Sequence, residues 1–444
     1  MNQKRRTKMI FPSEPVRYKL YDQSVLNDEK SWTIENVHDP AIYKDGDTYY
    51  VFSTDAQIGG EPKPGIQIRK SKDLIRWKWV GRAFDDVPRD AKQWTGAKGL
   101  WAPDVVKYGD TYYLYYAASQ FGKNQSFIGV ATSKHIEGPW QDQGEVFKTK
   151  QGDIPNAIDP NIAFDEHGNP WMVYGSFFGG IYISRIDPQT GKLLNYGTGK
   201  LIAKRSPSVE GAIEGPYIVY HPIFRKYYLF VSYDSLFSNY NIRVARADHI
   251  EGPYIDFNGN KMTDTTLPPN EVGMKVLGGY KFGKAEGWIA PGHNSVLKDG
   301  DDYYIVHHAR SEKNPRWHFL HVRKIVWSDD GWPLVSPERY TGEREQPISP
   351  SLMVGKWEYI ELDREKNEQI QSRSVFMNQD GSFIDGNNSG TWGYIENNRY
   401  EVCIKERKQT VIVLPSWDWE NWVPTLVFTG KDQFGNVVFG KKID

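Results

Sequence analysis

Acidic side chains recur at equivalent places along this 444-residue chain. Five segments share one pattern: a polar residue, a short apolar strand, a turn and an aromatic-rich strand. The first, HDPAIYKDGDTYYVFS from His38, has an Asp-Gly turn between two apolar runs, which is a strong hairpin signal. The polar residues that begin the five segments are Asp39, Asp104, Asp159, Glu214 and His293.

Carboxylates that meet at one place can perform acid–base chemistry. Asp39, Asp159 and Glu214 share a local frame (D-P-A-I, D-P-N-I and E-G-P-Y-I), whereas Asp104 follows a proline instead of preceding one. Displacing a glycosidic oxygen needs a protonated acid and an ionised carboxylate on opposite sides of the bond. A third anion beside the acid keeps it protonated near neutral pH. The alternative, that these acids are turn or capping residues, applies most to Asp104.

The elements that must position these acids are β-strands. A second repeated pattern follows each segment: an alternating strand, a polar turn and a short final strand. Four strands per unit, in five units, predict a five-bladed β-propeller whose innermost strands bring the polar residues to the axis. An insertion of roughly Asp256 to Lys284 explains the longest interval between repeats. We expect few helices, because no long apolar period of 3.6 residues is present.

The sequence changes in character after the repeats. The propeller is predicted over residues 1–345, and TGEREQPISP forms a linker. Residues 352–444 contain alternating strands joined by Asp-Gly and Asn-rich turns, which predict a small antiparallel β-barrel or sandwich. This second domain has no acid cluster of its own, so a supporting or sugar-binding role is expected. The fold class is therefore all-β.

Composition narrows the possible partners. The net charge is −1, with acids and bases interspersed, and the mean hydropathy is −0.63. These values favour a neutral partner over nucleic acid or a membrane surface, and no apolar run approaches the ~18 residues of a membrane span. The single cysteine, Cys403, excludes an internal disulfide. The basic N-terminus has no apolar core of a signal peptide, which predicts a cytoplasmic protein as the sequence stands, or an extracellular one if a leader was removed.

Several motifs resemble glycoside hydrolase family 43, a family of five-bladed propeller enzymes that act on arabinan and xylan side chains. Within it the chain most resembles endo-α-1,5-L-arabinanases with a C-terminal β-domain. NAIDP with GSFFGGI is typical of arabinanases rather than xylosidases. The matching stretches are VHDPAI at 37, LWAPDV at 100, FGKNQSFIGVA at 121, NAIDPNI at 156, PWMVYGSFFGGI at 170, AIEGPYI at 212 and GHNSVL at 292.

The resemblance implies a role for each axial residue. Asp39 would be the general base that activates water, Glu214 the general acid, and Asp159 the residue that tunes the acid's pKa and holds the substrate. The implied mechanism is inverting, which requires carboxyls about 6.5–9.5 Å apart. His293 corresponds to an axial histidine next to a bound ion, usually calcium, that is held largely through waters. Many arabinanases have a Cys-Cys pair after the acid, whereas this chain has VSYDSLFSNYN from Val231.

Candidate substrate contacts are less specific. Trp101 and Phe121 are the best candidates for stacking on sugars, although either could be blade core, and Asn156 and Ser176 could bond sugar hydroxyls. Other histidines suggest a metal site, but neighbours and i,i+3 pairs on a strand face opposite ways. We therefore expect structural or surface roles for His307, His308, His318 and His321.

Three functions compete. The first is endo-acting hydrolysis of α-1,5-arabinan, with a neutral polysaccharide or oligosaccharide as partner. The second is an exo-acting arabinofuranosidase or β-xylosidase on the same fold, for which the Asp256–Lys284 insertion could close one end of the cleft. The third, a non-catalytic sugar-binding propeller, is disfavoured because binding alone does not need a base opposite an acid.

Overall fold

A computed structural model describes residues 9–444 and confirms the predicted fold, a five-bladed β-propeller followed by a β-barrel. The first residues of the chain, on which the export prediction partly depends, lie outside this range. Helices are few, as predicted: the α-helices are Arg89–Thr95 and Pro350–Met353, and the 3-10 helices are Gln23–Val25, Glu29–Ser31 and Pro207–Val209. Among residues 9–444 no helix has the length and apolar character to cross a membrane.

Each propeller blade is an antiparallel sheet whose strands follow one another from the axis outwards. Blade one contains Ala41–Asp45, Thr48–Ser53, Gln67–Ser71 and Lys78–Arg82. Blade two contains Trp101–Tyr108, Thr111–Ala118, Ser126–Ser133 and Gln141–Thr149. Blade three contains Asn161–Phe164, Pro170–Tyr174, Ile181–Asp187 and Lys200–Ala203, with the short strand Lys192–Leu193 also paired to its third strand.

The last two blades continue the pattern and add contacts with the second domain. Blade four contains Ile213–His221, Lys226–Tyr233, Asn241–Ala247 and Met274–Leu277. Blade five contains Trp288–Asp299, Asp302–Ser311, His318–Trp327 and Pro333–Val335, extended by Tyr280–Lys281 and Ile370–Gln371. Ile370–Gln371 comes from the second domain and pairs in parallel with Tyr280–Lys281. One sheet therefore joins the two domains.

The second domain is a closed antiparallel barrel, so the structure selects the barrel over the sandwich. Its strands are Gly355–Leu362, Arg373–Met377, Ser382–Asp385, Asn388–Glu396, Arg399–Ile404, Arg407–Asp418, Val423–Asp432 and Val437–Lys442. Closure pairs the first strand with the last, which removes the exposed edges of the sheet.

The propeller and the barrel share a hydrophobic core. Phe230 and Val276 of blade four belong to the same buried cluster as Ile360, Leu414 and Phe439 of the barrel. The stretch from Asp256 to Lys284, predicted as an insertion that could close a cleft, supplies the outermost strand of blade four, and its apolar residues pack in the core shared with the barrel. Its role in closing one end of the cleft stays a prediction.

Side-chain hydrogen bonds hold the inner strand of blade five against the inner strand of blade one. The Ser295 hydroxyl donates to the Pro40 carbonyl at 2.7 Å and accepts from the Ile42 N–H at 3.1 Å. Lys44 donates to Asp299 at 2.5 Å. We call this contact the ring seam.

Candidate active site

All five inner strands begin at the same face of the propeller, which we call the active face. Near the start of each inner strand the residue at the equivalent position has left-handed backbone geometry, and there the pairing with the second strand is irregular in several blades. These residues are Asp39 (φ 51°), Ala102 (φ 38°), Asp159 (φ 58°), Gly215 (φ 58°) and His293 (φ 47°). A left-handed aspartate or histidine is uncommon, and such strain tends to occur at functional sites.

Asp104 lies outside the group of axial carboxylates, so the prediction that it joins them is wrong. The residue of blade two that matches Asp39 is Ala102, and Asp104 lies two positions further along the strand. Its buried carboxylate accepts hydrogen bonds from the Ile162 N–H at 2.6 Å and from Asn161 at 3.0 Å. It therefore fastens blade two to blade three, and burial raises its pKa to about 7.

Asp39 lies among three imidazole rings. Its Oδ1 is 3.0 Å from Nδ1 of His38, 3.2 Å from Nδ1 of His293 and 3.7 Å from Nδ1 of His308. Its Oδ2 accepts a hydrogen bond of 2.5 Å from the Thr54 hydroxyl. Two of the rings come from blade five, so this site forms across the ring seam.

The surroundings of Asp39 favour its ionised form. Burial alone would raise its pKa, but the positive charge of His293 and the charge and hydrogen bond of His38 hold it well below 3.8. The pKa of His293 is in turn raised: burial lowers it, but Asp39, Asp159 and Glu214 together outweigh that effect. A charged imidazolium therefore faces a carboxylate that stays ionised near neutral pH.

Glu214 has the opposite environment. Burial raises the pKa of this carboxyl, and hydrogen bonds from Tyr240 and Ser176, which favour the ionised form, only partly offset that effect. The Tyr240 hydroxyl donates to Oε1 and the Ser176 hydroxyl to Oε2, each at 2.7 Å. Both oxygens are thus held in place while the carboxyl retains its proton to a higher pH than an ordinary glutamate.

Asp159 links the two environments. Burial raises its pKa to about 7, with His293 opposing the rise and the charges of Glu214 and Asp39 adding to it. Its Oδ2 accepts from the Gly215 N–H at 3.1 Å, directly next to Glu214. The structure therefore brings together the four residues Asp39, Asp159, Glu214 and His293.

The predicted substrate contacts fall into two groups. Phe121 is 75 % exposed on the active face, and Trp101 is partly exposed at the start of its strand. Asn156 and Ser176 are both buried. The Asn156 side chain bonds the Ser126 hydroxyl and the Ser176 carbonyl, while the Ser176 hydroxyl bonds Glu214. Direct contact of these four residues with sugar stays a prediction.

Sequence reasoning missed several residues of this site. His38 stacks on His308 with ring centroids 3.7 Å apart, and His308 accepts a hydrogen bond from the Asp39 N–H at 3.2 Å. His307, His308, His318 and His321 are all buried, so the surface alternative for them is wrong. The VHDP motif could have pointed to His38, but His308 and Tyr240 reach the site from other strands and carry no local signal.

One possible metal-ligand group lies at the site: His38, Asp39 and His308 offer ligand atoms within 4.8 Å of one another. It supplies one carboxylate and two imidazoles, whereas calcium prefers six to eight oxygen ligands. His293, the residue for which the resemblance implies an ion, points Nδ1 at Asp39 and its protonated form is favoured. These donors do not form a calcium cage.

Comparison with known proteins agrees with this geometry. Residues 33–333 match the model of Glycosyl hydrolases family 43, and residues 337–440 match a C-terminal lipocalin-like domain. The chain belongs to glycosyl hydrolase family 43. It is 34 % identical to an extracellular endo-alpha-(1->5)-L-arabinanase of Thermotoga petrophila, over 95 % of this chain and 96 % of that protein.

Two further family 43 relatives differ in how much of this chain they cover. A crystal structure of an endo-1,5-alpha-L-arabinanase from Thermotoga petrophila is similar with a TM-score of 0.83 and 31 % identity, covering 94 % of this chain and 100 % of that one. An extracellular exo-alpha-(1->5)-L-arabinofuranosidase of Cellvibrio japonicus is 35 % identical over 68 % of this chain and 86 % of that protein. The endo-acting relative from Thermotoga petrophila therefore matches both domains of this family 43 chain.

Proposed function

We propose that this family 43 protein is an endo-acting glycoside hydrolase that cleaves α-1,5-arabinofuranosidic bonds in arabinan or arabino-oligosaccharides with inversion. The observation that carries the proposal is the contrast between two buried carboxyl groups. The environment of Asp39 favours an ionised carboxylate, and that of Glu214 favours a protonated acid. Single-displacement hydrolysis of a glycoside requires one group of each kind.

The proposed reaction follows from these protonation states. Asp39 accepts a proton from water while the water oxygen attacks the anomeric carbon. Glu214 donates its proton to the glycosidic oxygen as the bond to that oxygen breaks, so the leaving sugar departs as a neutral alcohol. The charge of Glu214 raises the pKa of Asp159, so the two neighbouring carboxyl groups together retain a proton to higher pH than separate carboxyl groups would. His293 offsets the accumulated negative charge.

The competing functions have less support. The exo-acting relative matches little beyond the propeller, whereas the endo-acting relative from Thermotoga petrophila matches nearly the whole chain. Apolar residues of the stretch Asp256–Lys284, the candidate for a cleft-closing loop of an exo-acting enzyme, pack in the core shared with the barrel. A non-catalytic sugar-binding propeller would not need carboxyls with opposed protonation states.

Product analysis on linear arabinan tests the proposal. Wild-type protein should release a ladder of oligosaccharides whose new reducing ends first appear with inverted configuration. Asp39→Ala and Glu214→Ala should each lower kcat by about 10²–10⁴-fold, and Asp110→Ala, in an exposed turn of blade two, is the matched control. Monomer as the sole product would contradict endo action, and full activity in either site variant would contradict the assigned roles.

An axial calcium ion near His293 is proposed on the family resemblance alone. An imidazole that binds an ion must be neutral, whereas the three carboxylates favour the protonated ring, so the ion and the proton compete for His293. No step of the reaction is assigned to the ion. Activity that is lost on treatment with a chelator and restored by added calcium would support the proposed calcium site. Activity unchanged by the chelator would contradict it.

A further inference from the structure

The first long loop of the barrel, residues 363–369, inserts into a polar pocket of blade four. Arg243 Nη2 donates to the Arg364 carbonyl at 2.8 Å, and Lys275 Nζ donates to the Lys366 carbonyl at 2.6 Å. Both cations lie on strands of blade four and are buried. The barrel loop thus takes the place of water around two buried charges of the propeller.

Asn367 at the centre of this loop uses its whole side-chain amide on the propeller. Its Oδ1 accepts from Arg243 Nη2 at 3.2 Å and from Lys275 Nζ at 3.3 Å. Its Nδ2 donates to Asp234 Oδ2 at 2.5 Å and to Asn270 Oδ1 at 3.3 Å. The side chain is almost completely buried, so none of these bonds can be replaced by water without opening the contact.

Asp234 connects this contact with the proposed acid. It forms a buried ion pair with Arg205, and its N–H donates to the Ala212 carbonyl at 3.2 Å. Arg205 Nη1 donates to the same carbonyl at 3.0 Å. Ala212 is two residues before Glu214, so one carboxylate and its partner fix the start of the strand that carries the acid.

The same aspartate also begins the loop that ends at Tyr240. Asp234 has a left-handed backbone (φ 70°), and its Oδ2 accepts from Asn241 Nδ2 at 3.0 Å. The side chain of Asp234 therefore closes residues 234–241 into a loop. Tyr240, at the end of this loop, donates to Glu214 Oε1.

We propose that Asn367 of the barrel is a positioning residue for Glu214, acting through Asp234 on both the strand that carries the acid and the loop that carries Tyr240. This inference deepens the proposed function and rests on it. It assigns the barrel a part in catalysis, in place of the separate supporting or sugar-binding role expected from its sequence. Asn367 touches no substrate, and its effect is to restrict where the proton of Glu214 can be delivered.

Two variants and a control test this role. Asn367→Ala removes all four hydrogen bonds, and Asn367→Asp keeps the shape and the acceptors for Arg243 and Lys275 but sets a carboxylate against Asp234. Asn387→Ala, at an exposed turn of the barrel, is the matched control. Thermal unfolding of each protein shows whether it is folded, and the near-isosteric Asn367→Asp keeps the test valid if Asn367→Ala unfolds.

The readout compares two leaving groups. An arabino-oligosaccharide leaves as a sugar alcohol and needs the acid, whereas a nitrophenyl arabino-oligosaccharide leaves as a stable phenolate and needs it less. Misplacing Glu214 should lower kcat on the first substrate by about tenfold with little change in KM, and on the second by less than about threefold. Equal losses of kcat on both substrates would show only that less of the variant protein is active, and would overturn the proposal. Asn367 variants as active as Asn387→Ala would overturn it too. A wild-type protein inactive on arabino-oligosaccharides would instead refute the proposed function itself.

Discussion

Single residues set the protonation states on which the proposed chemistry depends. Asp39 and Glu214 are both buried carboxyl groups, yet their pKa values move in opposite directions. Burial raises the pKa of Glu214 and its two hydroxyl donors only partly offset the rise, whereas the imidazoles around Asp39 outweigh the effect of burial. The difference is produced by partners from several blades rather than by the residues' own neighbours in sequence. Changes to those partners should therefore alter the pH dependence of the reaction.

Tyr240→Phe should move the basic limb of the pH–rate profile to higher pH. Glu214 must be protonated to act, so the rate falls as pH rises through its raised pKa, and the Tyr240 hydroxyl favours the ionised form. Removing that donor raises the pKa further, while loss of one hydrogen bond of about 0.5–1.5 kcal/mol should lower the plateau of kcat/KM about two- to tenfold. Tyr394→Phe, an exposed tyrosine of the barrel, is the control. A basic limb that stays in place or moves to lower pH would contradict this account.

Repeat analysis could predict which acids converge but not every neighbour they meet. Asp39 and Asp159 occupy equivalent positions near the axis, and Glu214 lies one residue before the equivalent position of its own blade, Gly215. Asp104 does not join them, because Ala102 occupies that position in blade two and Asp104 lies two residues further along the strand. His308 was overlooked because reasoning along one strand cannot show a contact made across the ring seam.

At the scale of structural elements, loops on the active face determine the shape of the substrate cleft. Phe121 lies in the loop between the second and third strands of blade two, and Phe237 in the same loop of blade four. Their ring centroids are 6.1 Å apart, so this contact joins the loops of blades two and four. Arg310 of blade five supports this arrangement, because its Nε donates to the Leu236 carbonyl at 2.7 Å.

Phe237→Ala should open the contact between the loops of blades two and four. Loss of an exposed aromatic contact worth about 0.5–1.5 kcal/mol should raise KM for linear arabinan about two- to tenfold. The wider opening should also lengthen the earliest oligosaccharides, which chromatography of the products measures. Ile223→Ala removes an even more exposed apolar side chain from a turn at the opposite end of blade four and is the control. An unchanged KM and product pattern would show that the two phenylalanines do not shape the cleft.

Hairpins were predictable from sequence because their signals are local. Asp-Gly turns such as Asp45-Gly46, where the glycine has φ 59°, fix both the turn and the register of the strands beside it. The position of residues 256–284 in the fold was not predictable from such local signals. It depends on apolar and hydrogen-bonding contacts with a barrel whose surface is formed about a hundred residues later.

At the scale of the whole molecule, the two domains behave as one packed body. Besides the shared core, a buried cluster of charges lies where the end of the propeller meets the barrel. Lys441 Nζ is 3.0 Å from Glu338 and 3.1 Å from Asp418, and it also pairs with Glu420. Burial and the neighbouring acids raise the pKa of Glu338 to about 8, with Lys441 opposing the rise.

Lys441→Met should destabilise the protein strongly. The change leaves three closely spaced carboxyl groups without their buried cation, and breaking a buried pair in this way costs about 3–5 kcal/mol. The loss should be smaller at pH 5 than at pH 8, because the carboxyl groups can take up protons at the lower pH. Urea unfolding at both pH values measures the loss of unfolding free energy. Lys408→Met, which removes an exposed ion pair, is the control. A variant as stable as wild type at pH 8 would contradict this role for Lys441.

The ring seam also determines when the site can form during synthesis of the chain. The residue that donates its N–H to His308 is Asp39, 269 positions earlier, so the surroundings of the base come from opposite ends of the propeller. Chains fold from the N-terminus as they leave the ribosome, and until blade five emerges Asp39 lacks two of the imidazoles that lower its pKa, those of His293 and His308. Nascent chains of four blades should therefore be catalytically silent. In refolding, hydrolysis would then begin with closure of the ring, a slow long-range event, rather than with formation of the strands.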